Sequence, residues 1–135
     1  MSELFSEEWV QTLGNAWNDD PQIVDPLLKA DFTANISYGF LGDKHPKCLL
    51  CIVNGKIINA STYHGEKLDW DLRANINDWN KWITKGFGLT TLGPAVATKK
   101  LQFVHGDYRQ MIRNPLLSRP FLRHFALMTK LDTTF

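Results

Sequence analysis

Two cysteines, four histidines and a pair of aspartates are the residues of this chain best suited to chemistry, and their spacing argues against most of it. Cys48 and Cys51 form a C-x-x-C, the spacing of metal ligands or of a redox pair. They lie in an apolar run, 47–53, that reads as a strand, where an odd separation sends two side chains to opposite faces. A shared metal or a disulfide needs both on one side, and no second C-x-x-C or H-x-x-x-H completes a zinc site. Two buried structural thiols are the plainer reading. His45, His64, His105 and His124 are dispersed without ligand spacing. His105 and Asp107 would suit a catalytic pair, but a strand-end His and a helix N-cap Asp account for the same residues. Asp69 and Asp71 share one face of a strand, as paired acid–base carboxylates would. Their alternation with Leu68, Trp70 and Leu72 reads that face as the solvent one. No Ser or Cys stands in a nucleophile elbow. Gly86-Phe87-Gly88 follows a helix rather than a strand, so it reads as a helix joint or the rim of a cleft, not as a phosphate cradle. Arg109, Arg113, Arg119, Arg123 and Lys130 form the one charge cluster of note. A membrane surface or an anionic head group would suit it, and so would the solvated faces of two short helices. The residues thus point to no catalytic set, no metal and no cofactor.

The elements that would position these residues follow from periodicity. Ser6 caps a first helix, Glu7 and Glu8 suit its positive end, and Phe5 is placed to staple onto Val10. Trp9, Val10, Leu13, Ala16 and Trp17 fall on one stripe of it. Asp20-Pro21 ends the pattern, and the stretch to Ala30, with two prolines, has room for one short helical turn. Four strands follow, at 31–38, 47–53, 56–64 and 68–76, with 39–46 as a loop and Asn54-Gly55 as a hairpin turn. Asn77 or Asp78 then caps a helix presenting Trp79, Trp82 and Ile83. A weaker helix at 88–98 turns Leu89, Leu92 and Val96 inward. A fifth strand at 99–105 leads through Gly106-Asp107 into a short helix with Tyr108, Met111 and Ile112. Asn114-Pro115 breaks it, and a last helix around 119–129 gathers Phe121, Leu122, Phe125 and Met128. Consecutive strands favour antiparallel neighbours, with the helices on one face of the sheet.

The 135 residues fit one domain, 1–135, with a formal net charge of only +1, so no overall field recruits nucleic acid. No stretch reaches the length of a membrane span, and the acidic N-terminus lacks a signal-peptide core, so the expectation is a cytoplasmic protein. Five Trp and eight Phe are a heavy aromatic load, suited either to filling a core or to lining a cleft. The helical apolar residues exceed what an exposed surface would accept. With the Gly-Phe-Gly joint and the small residues Gly93, Ala95 and Ala97, they hint at looser packing than a plain core.

The run 68–76 followed by Asp78-Trp79-Asn80-Lys81-Trp82-Ile83-Thr84-Lys85-Gly86 resembles the strand-then-helix segment of sterol carrier protein type 2 domains. The stretch Ala97-Thr98-Lys99-Lys100-Leu101-Gln102-Phe103-Val104-His105-Gly106-Asp107 is similar to their last strand. The likeness runs from the opening Phe-Ser-Glu-Glu-Trp helix to the final Phe-rich one, in the manner of a stand-alone bacterial-type member. It departs at Thr98, where many relatives carry Gly, and at Pro115 and Pro120. The resemblance implies an α+β fold: a five-stranded, mainly antiparallel sheet covered on one face by helices and enclosing an apolar cavity. It implies binding, and transfer, of a sterol, fatty acid, acyl-CoA, phospholipid or other hydrophobic small molecule, without conversion. Trp79, Trp82, Phe87, Leu92, Val96, Phe103, Phe121, Phe125 and Met128 are the apolar residues expected to line that cavity. The partners expected are a hydrophobic ligand and, transiently, a membrane surface. The competing readings are an isomerase- or hydratase-like enzyme or enzyme accessory using the same kind of cavity, and an interaction domain whose aromatic groove takes a partner helix.

Overall fold

Ser6 accepts a hydrogen bond from the backbone N–H of Trp9, fixing the start of the first helix where a Ser before two Glu would place it. The computed structural model describes residues 2–135. Its elements run β1 (Ser2–Glu3), α1 (Glu7–Asn18), α2 (Pro21–Lys29), β2 (Ala34–Phe40), β3 (Cys48–Val53), β4 (Lys56–Thr62), β5 (Trp70–Ala74), α3 (Ile76–Lys85), α4 (Leu89–Ala97), β6 (Gln102–His105), α5 (Tyr108–Arg113), α6 (Pro115–Met128) and β7 (Thr133–Thr134). The large sheet has the order β4-β3-β2-β5-β6. Only β2 and β5 pair in parallel; its other three pairings are antiparallel. β1 and β7 form a separate parallel pair that ties the two ends of the chain together.

The structure alters several expectations for identifiable reasons. The segment after Asp20 is a nine-residue helix, not a single turn. Asp20 accepts from the N–H of Gln22, and Pro21 at the first helical position forfeits no bond, so one of the two prolines does no harm. Ile23, Val24 and Leu27 then form its buried face. Gly39 and Phe40, expected in a loop, extend β2, because β5 pairs with this end of it (Phe40↔Ala74). The fourth strand therefore joins the sheet beside the first rather than beside its predecessor. It is also shorter than its alternating pattern, and α3 begins at Ile76 after Asn75, whose side chain makes no capping bond. In α4 the inward residues are Leu92 and Ala95; Val96 is half-buried and Leu89 lies exposed. α6 starts at Pro115, several residues early, because Asn114 accepts from the N–H of Leu116 and caps it.

One face of the sheet meets the helices. Ile36 and Tyr38 of β2, Cys48, Leu50 and Ile52 of β3, and Leu72 and Ala74 of β5 share a core with Trp9, Leu13 and Trp17 of α1 and Phe121, Phe125 and Met128 of α6. The opposite face is not open to water. Ser37, Leu49, Asp71 and Arg73 are buried there, and part of the cover is the loop 41–47. Arg73 Nη1 donates to the carbonyls of Phe40 and Asp43, and a Cβ on Gly39 would lie 2.9 Å from the backbone of Pro46.

Candidate functional site

A cleft lies between the helices and the sheet, and every side chain lining it is aliphatic, aromatic or Met. Ile36 of β2, Trp70 of β5 and Phe32 just before β2 form the sheet side. Trp17 of α1, Leu27 of α2, Met111 of α5, and Leu117 and Phe121 of α6 form the helix side. Its free volume is about 20 Å³. That admits one water-sized group, whereas small-molecule sites usually hold roughly 300–1,000 Å³. As it stands, the cleft is too small to hold a lipid.

The rings of the cleft are pinned. Trp17 donates its indole N–H to the carbonyl of Gly55 at 2.9 Å. Trp70 is covered by Gly106, where a Cβ would sit 2.3 Å from the indole ring, and the turn needs φ of +95° there. Glycine alone satisfies both demands. Phe103 stands edge-on to Trp70 at 6.1 Å and also meets Tyr108 and Phe121.

Behind Phe121, His124 is fully buried. Its Nδ1 faces the Phe121 carbonyl, which can only accept, so Nδ1 carries the proton. Nε2 is then the acceptor, and the Tyr38 hydroxyl donates to it at 2.9 Å. Burial is the main cause that lowers the imidazole to a pKa of about 4, opposed by the bond to Phe121. Burial, followed by the neighbouring Cys48, pushes the Tyr38 phenol well up. Both rings are neutral and both ring nitrogens are engaged, so this pair is a cross-brace from β2 to α6 rather than a base awaiting a substrate.

Most of the other candidates are likewise occupied. Burial pushes the Cys48 thiol far up, and Cys51 is raised chiefly by burial as well, so neither is a ready thiolate. Both are free, Cys48 buried and Cys51 half-buried. Asp71 does not face water, contrary to its alternating pattern. It is 2% exposed and held by Arg73 through Nε–Oδ1 at 2.7 Å and Nη2–Oδ2 at 3.0 Å. Asp69 is exposed and accepts from the N–H of Asn35. Asp107 caps α5 by accepting from the N–H groups of Arg109 and Gln110, and His105 is exposed. Among the described residues no group of three His, Cys, Asp or Glu is placed to hold a metal.

Of the nine expected lining residues, Phe121 faces the cleft and Phe103 packs against Trp70 and Phe121 just behind it. Phe125, Phe87, Trp82 and Trp79 continue from Phe121 as an unbroken chain of ring contacts, at 4.8, 4.3, 4.7 and 5.5 Å between successive centroids. Leu92 and Met128 belong to the same core, and Val96 packs against it half-buried. Sequence patterning does not mark Trp17, Leu27, Phe32, Ile36, Trp70, Met111 and Leu117 as lining residues. Their apolar spacing is that of core residues, and only the gap between them marks a site.

The fold is that of sterol carrier protein type 2 domains. A crystal structure of sterol carrier protein 2 matches with a TM-score of 0.73 at 15% identity, over 96% of this chain and 100% of that one. A conserved protein of Thermus thermophilus, for which a sterol carrier identity has been suggested, matches equally well (TM-score 0.73, 15% identity) over 98% of this chain and 92% of its own. The ubiquinone synthesis protein UbiJ-SCP2 matches at a TM-score of 0.57 and 11% identity, over 88% and 90%. No family model and no curated protein matches the sequence.

Proposed function

We propose that this chain binds a lipid or another hydrophobic small molecule between its sheet and its helices, and carries it in the cytoplasm without converting it. The cleft carries the reading: its wall offers apolar and aromatic surface and no charged side chain. Such a wall selects by shape and hydrophobicity. Burying a chain of roughly ten methylenes yields about 8 kcal/mol, a micromolar affinity before the cost of opening the cleft. That gain has to open the cleft, whose wall on α5 and α6 is Met111, Leu117 and Phe121. We extend the proposed lining inward from Phe121 and Phe103 to Phe125, Phe87, Trp82, Trp79, Leu92, Val96 and Met128, the apolar stack that an opened cleft would reach. Apart from the exposed His45, His64 and His105, the titratable candidates are spent on capping, pairing or burial, which supports a carrier over an enzyme.

A second reading is an isomerase- or hydratase-like enzyme, or an accessory that presents a hydrophobic substrate to one. The fold likeness to a ubiquinone synthesis protein favours its accessory form. Organic extraction and mass spectrometry of whatever co-purifies, followed by displacement of a fluorescent fatty acid, tests the carrier reading. Saturable binding that apolar competitors displace is expected. No extracted lipid and no displacement across several lipid classes would sink it.

A further inference from the structure

The small net charge conceals a polarised chain. Residues 1–78 carry six Lys/Arg against twelve Asp/Glu, a net −6, whereas 79–135 carry nine against two, a net +7. Between Asp107 and Asp132 there are five cations and no anion. This stretch contains α5 and α6, the two helices that supply Met111, Leu117 and Phe121 to the cleft.

The structure sorts those cations. Arg123 is committed, its Nε 2.6 Å from Asp20 Oδ2, and it ties α6 to the start of α2. Arg109, Arg113 and Arg119 are exposed and, among the described residues, none is ion-paired. Arg109 and Arg113 line one surface hollow with Asp107, Gln110, Asn114 and Pro115. Arg119 and Arg123 line a second with Gln22, Pro26, Pro115 and Leu116. Pro115 belongs to both, so the hollows adjoin across the α5–α6 corner. Asp107 is the one acid in them, and its carboxylate is spent on the N-terminus of α5. Leu116 is 37% exposed among these arginines, and the next residue, Leu117, is cleft wall.

We propose that the α5–α6 corner docks onto an anionic lipid bilayer, with Arg109, Arg113 and Arg119 on the head groups and Leu116 among the acyl chains, setting the cleft beside the membrane. The proposal rests on the cleft being the ligand site. Three unpaired cations call for an anionic partner. An exposed leucine in their midst favours a bilayer over nucleic acid, whose phosphate backbone gives it nothing apolar to enter. The first helix is a poor rival for this role: its apolar stripe is buried, and Glu7, Glu8 and Asp19 lie on or just beyond it.

The test is co-flotation with phosphatidylcholine vesicles prepared with and without phosphatidylglycerol. The wild-type chain is expected to float only with phosphatidylglycerol, and less as salt rises. At roughly fivefold per arginine, the triple variant Arg109→Gln/Arg113→Gln/Arg119→Gln should partition about 100-fold less. The triple Arg→Lys variant should keep its binding, and Leu116→Ser should lose about tenfold. Equal flotation without phosphatidylglycerol, or undiminished flotation of the glutamine variant, would overturn the proposal. So would capture by a DNA duplex at the same salt that the glutamine variant loses and Leu116→Ser keeps. A fluorescent fatty acid titrated in vesicle-free buffer separates the two readings. The glutamine variant should bind it as the wild type does, which also certifies its fold. A wild type that floats as expected but binds no fatty acid would retire the cleft reading and leave the docking surface standing.

Discussion

Acidifying the protein from pH 7 towards pH 4 sets the unfolded chain, which takes a proton on His124 readily, against a folded core that resists it. The folded imidazole is lowered to about 4 from an ordinary 6.5. A depressed folded pKa means that the unfolded state binds the proton first, so the contribution is whole above about pH 6.5 and is lost as pH falls towards 4. Worked through the linkage relation, the loss is roughly 2 kcal/mol by pH 5 and about 3 kcal/mol by pH 4. That is a large share of a marginal stability. Protonation also disrupts the pair itself, because Nε2–H can no longer accept from Tyr38. Urea unfolding at pH 7, 5 and 4 on the wild type and on His124→Phe measures this. The exposed histidines and the carboxylates are common to both chains, so they cancel in the difference. The variant strands the Tyr38 hydroxyl and should be less stable at pH 7 by about 1–3 kcal/mol. Its profile should then be flatter, the gap closing or reversing by pH 4. Parallel profiles from pH 7 to pH 4 would refute a buried, neutral His124.

Gly106→Ala meets both a φ of +95° and the Trp70 ring. It should cost at least about 2 kcal/mol and weaken fatty-acid binding, both read on one sample by thermal melting and fluorescence titration. Asp71→Asn leaves the Arg73 guanidinium buried without its counter-charge, a cost of about 3–5 kcal/mol in urea unfolding. The double variant Asp71→Leu/Arg73→Met should recover much of that loss, and a single-variant cost below about 1 kcal/mol would contradict a buried pair. Leu117→Trp fills the narrow cleft from a half-buried position. Fatty-acid displacement should be lost while the melting temperature changes little, and undiminished binding would move the site elsewhere.

What could be read from the sequence was local. The Ser6 cap, the Asn54-Gly55 hairpin and the Asp107 cap each depend on a few adjacent residues, and each stands as its residues imply. The place of β5 depends on a parallel pairing with a strand more than thirty residues earlier, which no periodicity encodes. Asp71 shows the limit of alternation. The pattern gave its face correctly, but that face is buried under other chain, and an aspartate there survives because Arg73 sits two residues on. His124 and Tyr38 are 86 residues apart, and a histidine within a Phe-rich helix gives no sign of its partner. An apolar cavity is what the resemblance implies, whereas the aromatic load suits core filling and cleft lining equally. The cleft wall was not legible, because Trp17 and Trp70 carry the same spacing as residues packed without a gap.

The walls of the cleft are unequally held, and that sets how the proposed ligand would get in. Ile36 lies in β2, bonded on both sides within the sheet. Trp17 is anchored to Gly55, and Trp70 lies beneath Gly106. Leu27 sits on α2, which Asp20 ties to Arg123 of α6. Met111 has no comparable anchor. It belongs to a six-residue helix, too short to be stable alone, bounded by Gly106 and by Asn114, which ends α5 and caps α6 at once. It is also the only buried residue of that helix. Moving α5 therefore uncovers Met111 with the half-buried Tyr108 and Ile112 and breaks no sheet bond, whereas moving Trp17, Trp70 or Ile36 strains an anchored ring or a strand. Met111 shares the cleft wall with Trp70 and Phe121, and the ring chain through Phe125, Phe87, Trp82 and Trp79 continues from Phe121. The proposed apolar binding is then a rearrangement of one corner of the molecule, the same corner that carries Arg109, Arg113 and Leu116.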